Sequence, residues 1–211
     1  MQYDILLIGG NGFVGRVLAA QLQLAGYSVL IPSGHPSAGR ELRMLPKVQI
    51  ENANIHEFDT LQSLCSRIKP GGAVINLVGV LHDRPAEPYG KIFKSAHVEL
   101  PKNIITAMQL HGLKRYLHMS ALGADPKGPS MYQRSKGDGE LAVKASKLDW
   151  TIFRPSVIFG AQDQFINLFA KLTKLFPLMP LANYGAKFQP VSVDDVASAF
   201  VKALNMPQTI H

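Results

Sequence analysis

Short apolar runs alternate with longer segments of helical periodicity along most of this chain. The apolar runs predict strands at residues 5–8, 27–31, 48–51, 73–77, 116–119 and 151–153. The helical patterns lie between them, near residues 13–25, 57–68, 90–111 and 130–147. The runs ILLI and AVINLV are apolar without alternation, which is typical of strands buried on both faces. The chain is therefore expected to form an α/β fold, a doubly wound parallel sheet with helices on both faces.

The pattern changes after the sixth predicted strand. We expect residues 1–155 to form the core and residues 156–211 to be a substrate-side segment that completes the same domain. Within it, residues 165–181 interleave apolar residues with Lys171 and Lys174. Such a segment suits a helix that closes a substrate pocket or packs on the core. The alternative is a helix that lies on a membrane or receives a quinone-like apolar ligand.

Charge and cysteine content narrow the function classes. The formal net charge is +7, but the basic residues are scattered, so no nucleic-acid partner is expected. Cys65 is the single cysteine, which excludes an internal disulfide and a cysteine-rich metal site, and no metal is expected. The chain opens on a strand without a basic leader, and no apolar run reaches the roughly 20 residues of a membrane span. These features favour a cytoplasmic protein.

Four glycines follow the first strand directly, at positions 9, 10, 12 and 15. They satisfy both Gly-x-Gly-x-x-Gly and Gly-x-x-Gly-x-x-Gly, between a predicted strand and a predicted helix, which is the context of a dinucleotide fingerprint. The first glycines allow the turn, Gly12 lets the backbone approach a pyrophosphate, and Gly15 lets the helix pack close to the strand. The helix N-terminus then offers free N–H groups to the phosphates.

The residues after the second strand bear on which dinucleotide binds. An NAD site usually places an acidic residue there for the ribose hydroxyls, but no acidic residue lies between Asp4 and Glu41. Ser33 stands at the strand end, and Arg16 and Arg40 could bind a 2′-phosphate. NADP(H) is therefore favoured, with NAD(H) as the alternative. Arg40 could also simply begin a solvated helix.

A second constellation follows the fifth strand. Tyr132 and Lys136 are four residues apart, so on a helix they share one face. A lysine ammonium beside a phenol is expected to lower the phenol pKa and let Tyr132 exchange a proton near neutral pH. Ser120, at the end of the strand, could hydrogen-bond the same substrate oxygen. These three residues are the predicted catalytic group.

Together these motifs resemble the short-chain dehydrogenase/reductase superfamily in its extended or atypical branch, which includes NAD-dependent epimerases and dehydratases. The resemblance rests on GGNGFVG, NLVG, SALGA, YQRSK, RPSVIFG and FQPVSVDDVASAF. In HVELPKNIITAM, YLHMSALGA and LDWTIFRPSVIFG the chain is most similar to bacterial relatives of the NADPH-binding accessory subunit of respiratory complex I (NADH:ubiquinone oxidoreductase). The resemblance implies an NAD(P)-binding Rossmann fold.

The resemblance also assigns roles by position. The motifs and the resemblance together predict these residues around the cofactor: Gly9, Gly10, Asn11, Gly12, Phe13, Val14, Gly15, Arg16, Ser33, Arg40, Asn54, Ile55, Leu77, Val78, Gly79, Tyr132, Lys136, Pro155 and Val157. Three positions depart from the family pattern. Asn54 replaces an aspartate near the adenine, and Gly34 replaces an arginine that many close relatives carry for the 2′-phosphate. His97 replaces an asparagine that supports the lysine through water.

Two functions remain open from the sequence. One is an NADP(H)-dependent oxidoreductase or epimerase-like enzyme that acts on a small carbonyl, hydroxyl or quinone-like substrate. The other is a non-catalytic dinucleotide-binding subunit with an accessory, assembly or redox-sensing role beside an NADH:quinone oxidoreductase, in peripheral contact with the inner face of the membrane. The Tyr132–Lys136 pair favours the enzyme. His97 and the short C-terminal part favour the accessory subunit.

Overall fold

The computed structural model describes residues 2–35, 39–161 and 189–211. Six parallel strands form its main sheet, in the order β3-β2-β1-β4-β5-β6. Their bounds are β1 Tyr3–Ile8, β2 Val29–Ser33, β3 Val48–Asn52, β4 Ile68–Asn76, β5 Arg115–Met119 and β6 Asp149–Phe153. A short parallel pair, β7 (Ile158–Phe159) and β8 (Val191–Ser192), lies beyond β6 in the chain. The strand order reverses at β1, so a switch point lies between β1 and β4.

Helices connect the strands and cover both faces of the sheet. Their bounds are α1 Phe13–Leu24, α2 Phe58–Ser66, α3 Lys91–Phe93, α4 Leu100–Leu110, α5 Met131–Lys144 and α6 Val193–Leu204, with 3₁₀ turns at Arg40–Met44 and Pro207–Thr209. None of the helices within the described ranges is long and apolar enough to cross a membrane.

The core consists of two apolar layers, one on each side of the sheet. Alternate residues of β1 point to opposite layers, because successive side chains of a strand face opposite ways. Leu6 and Ile8 pack with residues of α2, α4 and α5, whereas Ile5 and Leu7 pack with residues of α1 and α6. This arrangement explains why the β1 run is apolar at every position and confirms the doubly wound fold.

The predicted and observed elements differ mainly in detail. The second strand begins at Val29, two residues later than predicted, and ends at Ser33. The long helix predicted near residues 90–111 is divided, because a π-helical turn at Lys94–Glu99 separates α3 from α4. The segment 165–181, with its proposed pocket-closing or membrane role, lies outside the described residues.

The α1 helix can approach the first turn closely because position 15 has no side chain. A Cβ atom at Gly15 would lie within 2.6 Å of the Gly10 backbone, closer than atoms can approach. A Cβ atom at Gly12 would meet only the Gly9 carbonyl oxygen, at 3.2 Å. The fold therefore requires glycine at position 15 and tolerates a side chain much better at position 12.

We expect Gly15→Ala to lower the free energy of unfolding by about 1–3 kcal/mol, because the added methyl must push α1 away from the turn. Gly12→Ala is the matched control and should change stability by much less. Urea unfolding of both variants beside the wild-type protein measures the difference. Equal stabilities of Gly15→Ala and the wild-type protein would contradict this account of the packing.

Candidate functional site

The sequence-predicted site residues whose side chains the structure describes follow the carboxyl ends of the six parallel strands. The glycine turn follows β1, Ser33 ends β2, and Asn54 and Ile55 follow β3. Residues 77–80 follow β4, Ser120 follows β5, and Pro155 and Val157 follow β6. Ligands of open α/β sheets bind at this edge, beside the switch point. The fold thus brings the predicted residues to one edge of the sheet.

The glycine turn includes one exposed glycine, Gly12, whose lack of a side chain the fold itself does not require. Gly9 has a positive φ of 86°, and a side chain at Gly10 would collide with Ile31. Gly12 is exposed, precedes the first residue of α1 and donates its N–H to the Gly9 carbonyl. Free N–H groups at the start of α1 lie beside it. This turn fits a pyrophosphate, which would approach at Gly12.

Polar groups cluster where β2 ends. The Asn11 Nδ2 atom donates to the Ser33 Oγ atom at 2.5 Å, and the His35 N–H also donates to that Oγ atom. The Asn11 Oδ1 atom is buried and has no hydrogen-bond partner among the described residues. Gly34 is exposed, with open space where a side chain would be. The sequence has no acidic residue from Ser33 to Arg40.

Arg16 is more constrained than the sequence indicated. Its Nε atom donates to the Asn11 carbonyl at 2.9 Å, and its Nη1 atom lies 2.7 Å from Glu41 Oε1. Both partners of this ion pair are partly exposed, so it is easily exchanged for another anion. Arg40 begins the 3₁₀ turn, but its side chain lies outside the described part of the chain.

Asn54 and Ile55 have local roles in the turn after β3. The Asn54 side chain accepts a hydrogen bond from the His56 N–H and donates to Glu57 Oε1 at 2.9 Å, so it holds the turn before α2. Ile55 packs against the apolar layer that contains α2. Asn54 is exposed and lines a cleft of about 460 Å³ between the end of β3 and the start of α2.

The 77–80 loop is held at both ends by polar side chains of the core. The Leu77 N–H donates to the Ile8 carbonyl, and the Val78 N–H donates to the Oδ1 atom of buried Asn76 at 3.0 Å. The Val80 N–H donates to His97 Nε2 at 3.1 Å. Gly79, between these attachments, is exposed. A ligand can therefore reach the backbone of a loop whose position is fixed.

Helix α5 begins with a capping box that fixes the turn carrying Tyr132. The Ser130 side chain accepts a hydrogen bond from the Gln133 N–H, and the Gln133 side chain accepts one from the Ser130 N–H. Lys136 follows one turn later and is 3% exposed. Its Nζ atom donates to the Met119 carbonyl at 2.7 Å, and a Cβ atom on Gly79 would lie 4.0 Å from it.

The pKa values of this pair differ from the sequence expectation. Burial raises the pKa of Tyr132 above its usual value. The predicted lowering of the phenol pKa is therefore wrong for this structure, because the ammonium hydrogen-bonds the Met119 carbonyl while the phenol loses solvent. Burial lowers the pKa of Lys136 to about 8, and the Glu140 carboxylate partly opposes that shift.

Glu140 is a buried carboxylate that the sequence analysis missed. It accepts hydrogen bonds from Nε and Nη2 of Arg154, and Lys144 lies 3.1 Å away. Burial alone would raise its pKa, but the hydrogen bonds from Arg154 and Lys144, together with the nearby Ser120 hydroxyl, hold it below the usual value. The ion pair joins α5 to the chain just before Pro155. Its sequence signal was the spacing, because Tyr132, Lys136 and Glu140 follow one another at four-residue intervals.

Ser120 is 4% exposed and lies directly after β5. Its backbone N–H donates to the Phe153 carbonyl. Its hydroxyl is near enough to Glu140 to help lower that carboxylate's pKa, but the Oγ atom has no hydrogen-bond partner of good geometry among the described residues. A buried hydroxyl without a good partner is costly, so a ligand oxygen at this position would satisfy it.

These residues fit a dinucleotide. Gly12 leaves room for the pyrophosphate, and the 77–80 loop exposes backbone beside Lys136. Further along the same edge, the Ser120 hydroxyl has no well-aligned partner among the described residues. Pro155 and Val157 are half-buried after β6, where the resemblance expects the nicotinamide.

Comparisons with known proteins agree with this geometry. The sequence model of the NAD dependent epimerase/dehydratase family matches residues 5–211. Subunit 9 of the NADH dehydrogenase [ubiquinone] 1 alpha subcomplex from Arabidopsis thaliana is 32% identical over 204 residues, which cover 94% of this chain and 49% of that protein. The Mus musculus subunit of the same name is 32% identical over 209 residues, covering 97% and 54%. The chain therefore spans about half the length of these relatives.

Among solved structures, a UDP-glucuronic acid 4-epimerase from Bacillus cereus, in complex with a substrate analogue and NAD, aligns with a TM-score of 0.80. The alignment covers 98% of this chain and 74% of the epimerase, at 20% identity. This similarity supports the fold.

The lowered pKa values of two buried histidines predict how the free energy of unfolding changes as the pH falls. Burial and the Lys136 charge lower the pKa of His97 to about 3, and burial holds the pKa of His118 well below 6.5. The unfolded chain therefore binds more protons than the folded one below pH 6.5, so stability falls as pH drops from 6.5. We expect a loss of about 1 kcal/mol per pH unit for each histidine.

Urea unfolding at pH 7.5, 6.5 and 5.5 measures this dependence in a range where the carboxylates stay ionised. His97→Gln should reduce the slope, whereas the change of exposed His111 to Gln should not. A free energy of unfolding that is the same at pH 7.5 and 5.5 would contradict the neutral, buried state of both histidines.

Proposed function

The chain belongs to the NAD dependent epimerase/dehydratase family, and on that premise we propose that it is an NADP(H)-binding oxidoreductase or epimerase-like enzyme. The observation that carries the proposal is the buried Lys136 ammonium, which lies beside exposed Gly79 and on the same helix as Tyr132. A buried charge at a ligand-accessible edge is costly unless it serves a ligand or a reaction.

The 2′-phosphate preference is supported by the end of β2. Ser33 occupies the place where NAD-binding sheets usually carry a carboxylate, and it presents a hydroxyl beside the His35 N–H. Arg16 lies at the adjacent turn, held by the Asn11 carbonyl. A 2′-phosphate would compete with the Glu41 carboxylate for this guanidinium, and a doubly charged phosphate is the stronger partner.

The chemistry would come from the nicotinamide, which supplies or accepts a hydride when it is bound. Within the chain, Lys136 would hold the nicotinamide-side ribose and supply positive charge near Tyr132. Tyr132 would exchange a proton with the substrate oxygen, and Ser120 would orient that oxygen. If the Lys136 ammonium exchanged the Met119 carbonyl for a bound ribose, it would also be able to lower the phenol pKa of Tyr132.

The relatives favour a second candidate, a non-catalytic dinucleotide-binding subunit. The Arabidopsis thaliana and Mus musculus proteins are by name subunits of a mitochondrial NADH dehydrogenase. By analogy, this chain would bind peripherally to a respiratory complex, at the cytoplasmic face of a membrane, and use the cofactor for structure or redox sensing. In that role the Tyr132–Lys136 pair would only position the nicotinamide end.

We expect the protein to bind NADPH at least tenfold more tightly than NADH, because Ser33 stands where a ribose-binding carboxylate would be and Arg16 can exchange Glu41 for the 2′-phosphate. Fluorescence titration with both dinucleotides measures the ratio. Arg16→Gln should reduce it, whereas Lys69→Gln, which removes an ion-paired cation near the amino end of β4, should not. Gly12→Val should abolish binding of both. Equal affinities for the two dinucleotides would overturn the 2′-phosphate argument.

Tyr132→Phe separates the two candidate functions. In an enzyme it removes the proton donor, and the rate should fall by about 10²–10⁴-fold while NADPH affinity changes little. The measurement is NADPH oxidation with quinones, ketones and nucleotide sugars. Tyr27→Phe, which removes a hydroxyl bonded to Asn205, is the control and should keep full activity. Tight NADPH binding without wild-type turnover on this panel would favour the accessory subunit.

A further inference from the structure

His97 occupies a position that the proposed mechanism does not use, yet it contacts both the 77–80 loop and helix α5. It lies in the π-helical turn and is 1% exposed. Its ring stacks on Phe93 at 5.2 Å between centroids and meets the Tyr132 ring edge-on at 5.5 Å. A π-helical turn is uncommon and frequently marks a functional site.

The partners of His97 fix which ring nitrogen donates a hydrogen bond and which accepts one. The Val80 N–H can only donate, so the Nε2 atom, 3.1 Å away, must accept. The Ser135 hydroxyl donates to the Tyr132 carbonyl at 3.0 Å, so its oxygen is free to accept from Nδ1, 2.8 Å away. The imidazole is therefore neutral, with its proton on Nδ1.

We propose that His97 is a positioning residue that, as a neutral Nδ1–H imidazole, ties the 77–80 loop to the helix that carries Tyr132 and Lys136. The tie runs from Val80 through the ring and Ser135 to the Tyr132 carbonyl. Its consequence for the cofactor rests on the proposed function, because the 77–80 loop is where the nicotinamide-side ribose would lie. The hydrogen-bonded chain itself does not depend on any ligand.

The charges around the ring favour the neutral form. The Lys136 ammonium on α5 opposes protonation, and burial adds to that effect. Tyr132 on α5 and His118 on β5 contribute no negative charge. The Asp83 carboxylate favours protonation, but it already accepts hydrogen bonds from the Arg84 and Phe93 N–H groups.

The same geometry assigns His97 a static role. A protonated ring would present N–H groups to both Val80 and Ser135, and the Val80 N–H could no longer be accepted. Both nitrogens are occupied by fixed partners, so His97 does not pass protons to Lys136. Close packing adds rigidity, because a side chain on Gly139 would collide with the His97 carbonyl oxygen. The connection between the 77–80 loop and α5 is thus held both by the ring of His97 and by its backbone.

Nuclear magnetic resonance of the wild-type protein tests the hydrogen-bonded chain directly. Long-range ¹H–¹⁵N correlation of the histidine rings should show residue 97 as the Nδ1–H tautomer, unchanged between pH 8 and pH 5. The Val80 amide should exchange slowly with solvent. An Nε2–H tautomer, or a ring that titrates in this range, would overturn the proposal even if the protein binds NADPH.

Two variants separate hydrogen bonding from ring packing. His97→Phe keeps an aromatic ring beside Phe93 but loses both hydrogen bonds, so Val80 exchange should rise at least tenfold and NADPH affinity should fall about three- to tenfold. His97→Gln keeps a donor and an acceptor and should retain most of the protection and affinity. The reverse order of the two variants would show that the ring matters only for packing.

The outcomes also distinguish this inference from the proposed function. If the wild-type protein binds no dinucleotide, the proposed function fails, but the tautomer and the Val80 exchange still test the tie. If NADPH binds and His97→Phe accelerates Val80 exchange without weakening NADPH, the positioning role toward the cofactor is overturned. Normal Val80 protection in a folded His97→Phe variant would overturn the tie itself.

Discussion

The burial of the Lys136 ammonium is the constraint on which the candidate site depends. A charge that is 3% exposed must be compensated, and the Met119 carbonyl provides its one direct hydrogen bond within the described chain. The Glu140 carboxylate, one turn further along α5, favours the charged form. Because Glu140 is buried as well, it needs Arg154, and that ion pair connects α5 to the end of β6. The groups that compensate the Lys136 charge thus connect β5, β6 and α5.

The same charge contributes to the state of the neighbouring histidines. Burial is the main cause that lowers the pKa of His97 and of His118, and repulsion from the Lys136 ammonium lowers both pKa values further. A neutral His97 can accept the Val80 hydrogen bond, which a protonated ring could not. Burial and the Lys136 charge therefore both favour the neutral His97 ring that accepts the hydrogen bond of the 77–80 loop.

Local patterns predicted much of this arrangement. The unbroken apolar runs indicated strands covered on both faces, and the glycine spacing located the turn after β1, because each signal lies within a few neighbouring residues. Tyr132 and Lys136 were found for the same reason. The ion pairs Arg16–Glu41 and Arg154–Glu140 were missed, because they join residues 25 and 14 positions apart in different elements. The raised pKa of Tyr132 was also missed, since burial is a property of packing and not of spacing.

The edge formed by the carboxyl ends of the strands has two halves, which offer different chemical groups to a ligand. Around β1, β2 and β3 the chain offers backbone N–H groups, an exposed glycine and polar side chains, which suit phosphate and ribose. Around β4, β5 and β6 it offers a buried ammonium, a phenol and a fixed loop, which suit a reacting group. Few of the contacts that hold one half involve the other. Asn11, Ser33 and Arg16 form hydrogen bonds among themselves and with neighbouring residues. Lys136, Glu140 and Arg154 form a separate network. A chain of this family can therefore keep the dinucleotide half while the other half turns from catalysis to a purely structural role. Here the half around β4, β5 and β6 keeps a buried ammonium on the same helix as Tyr132, and burying that charge is costly in either role unless a ligand contacts it.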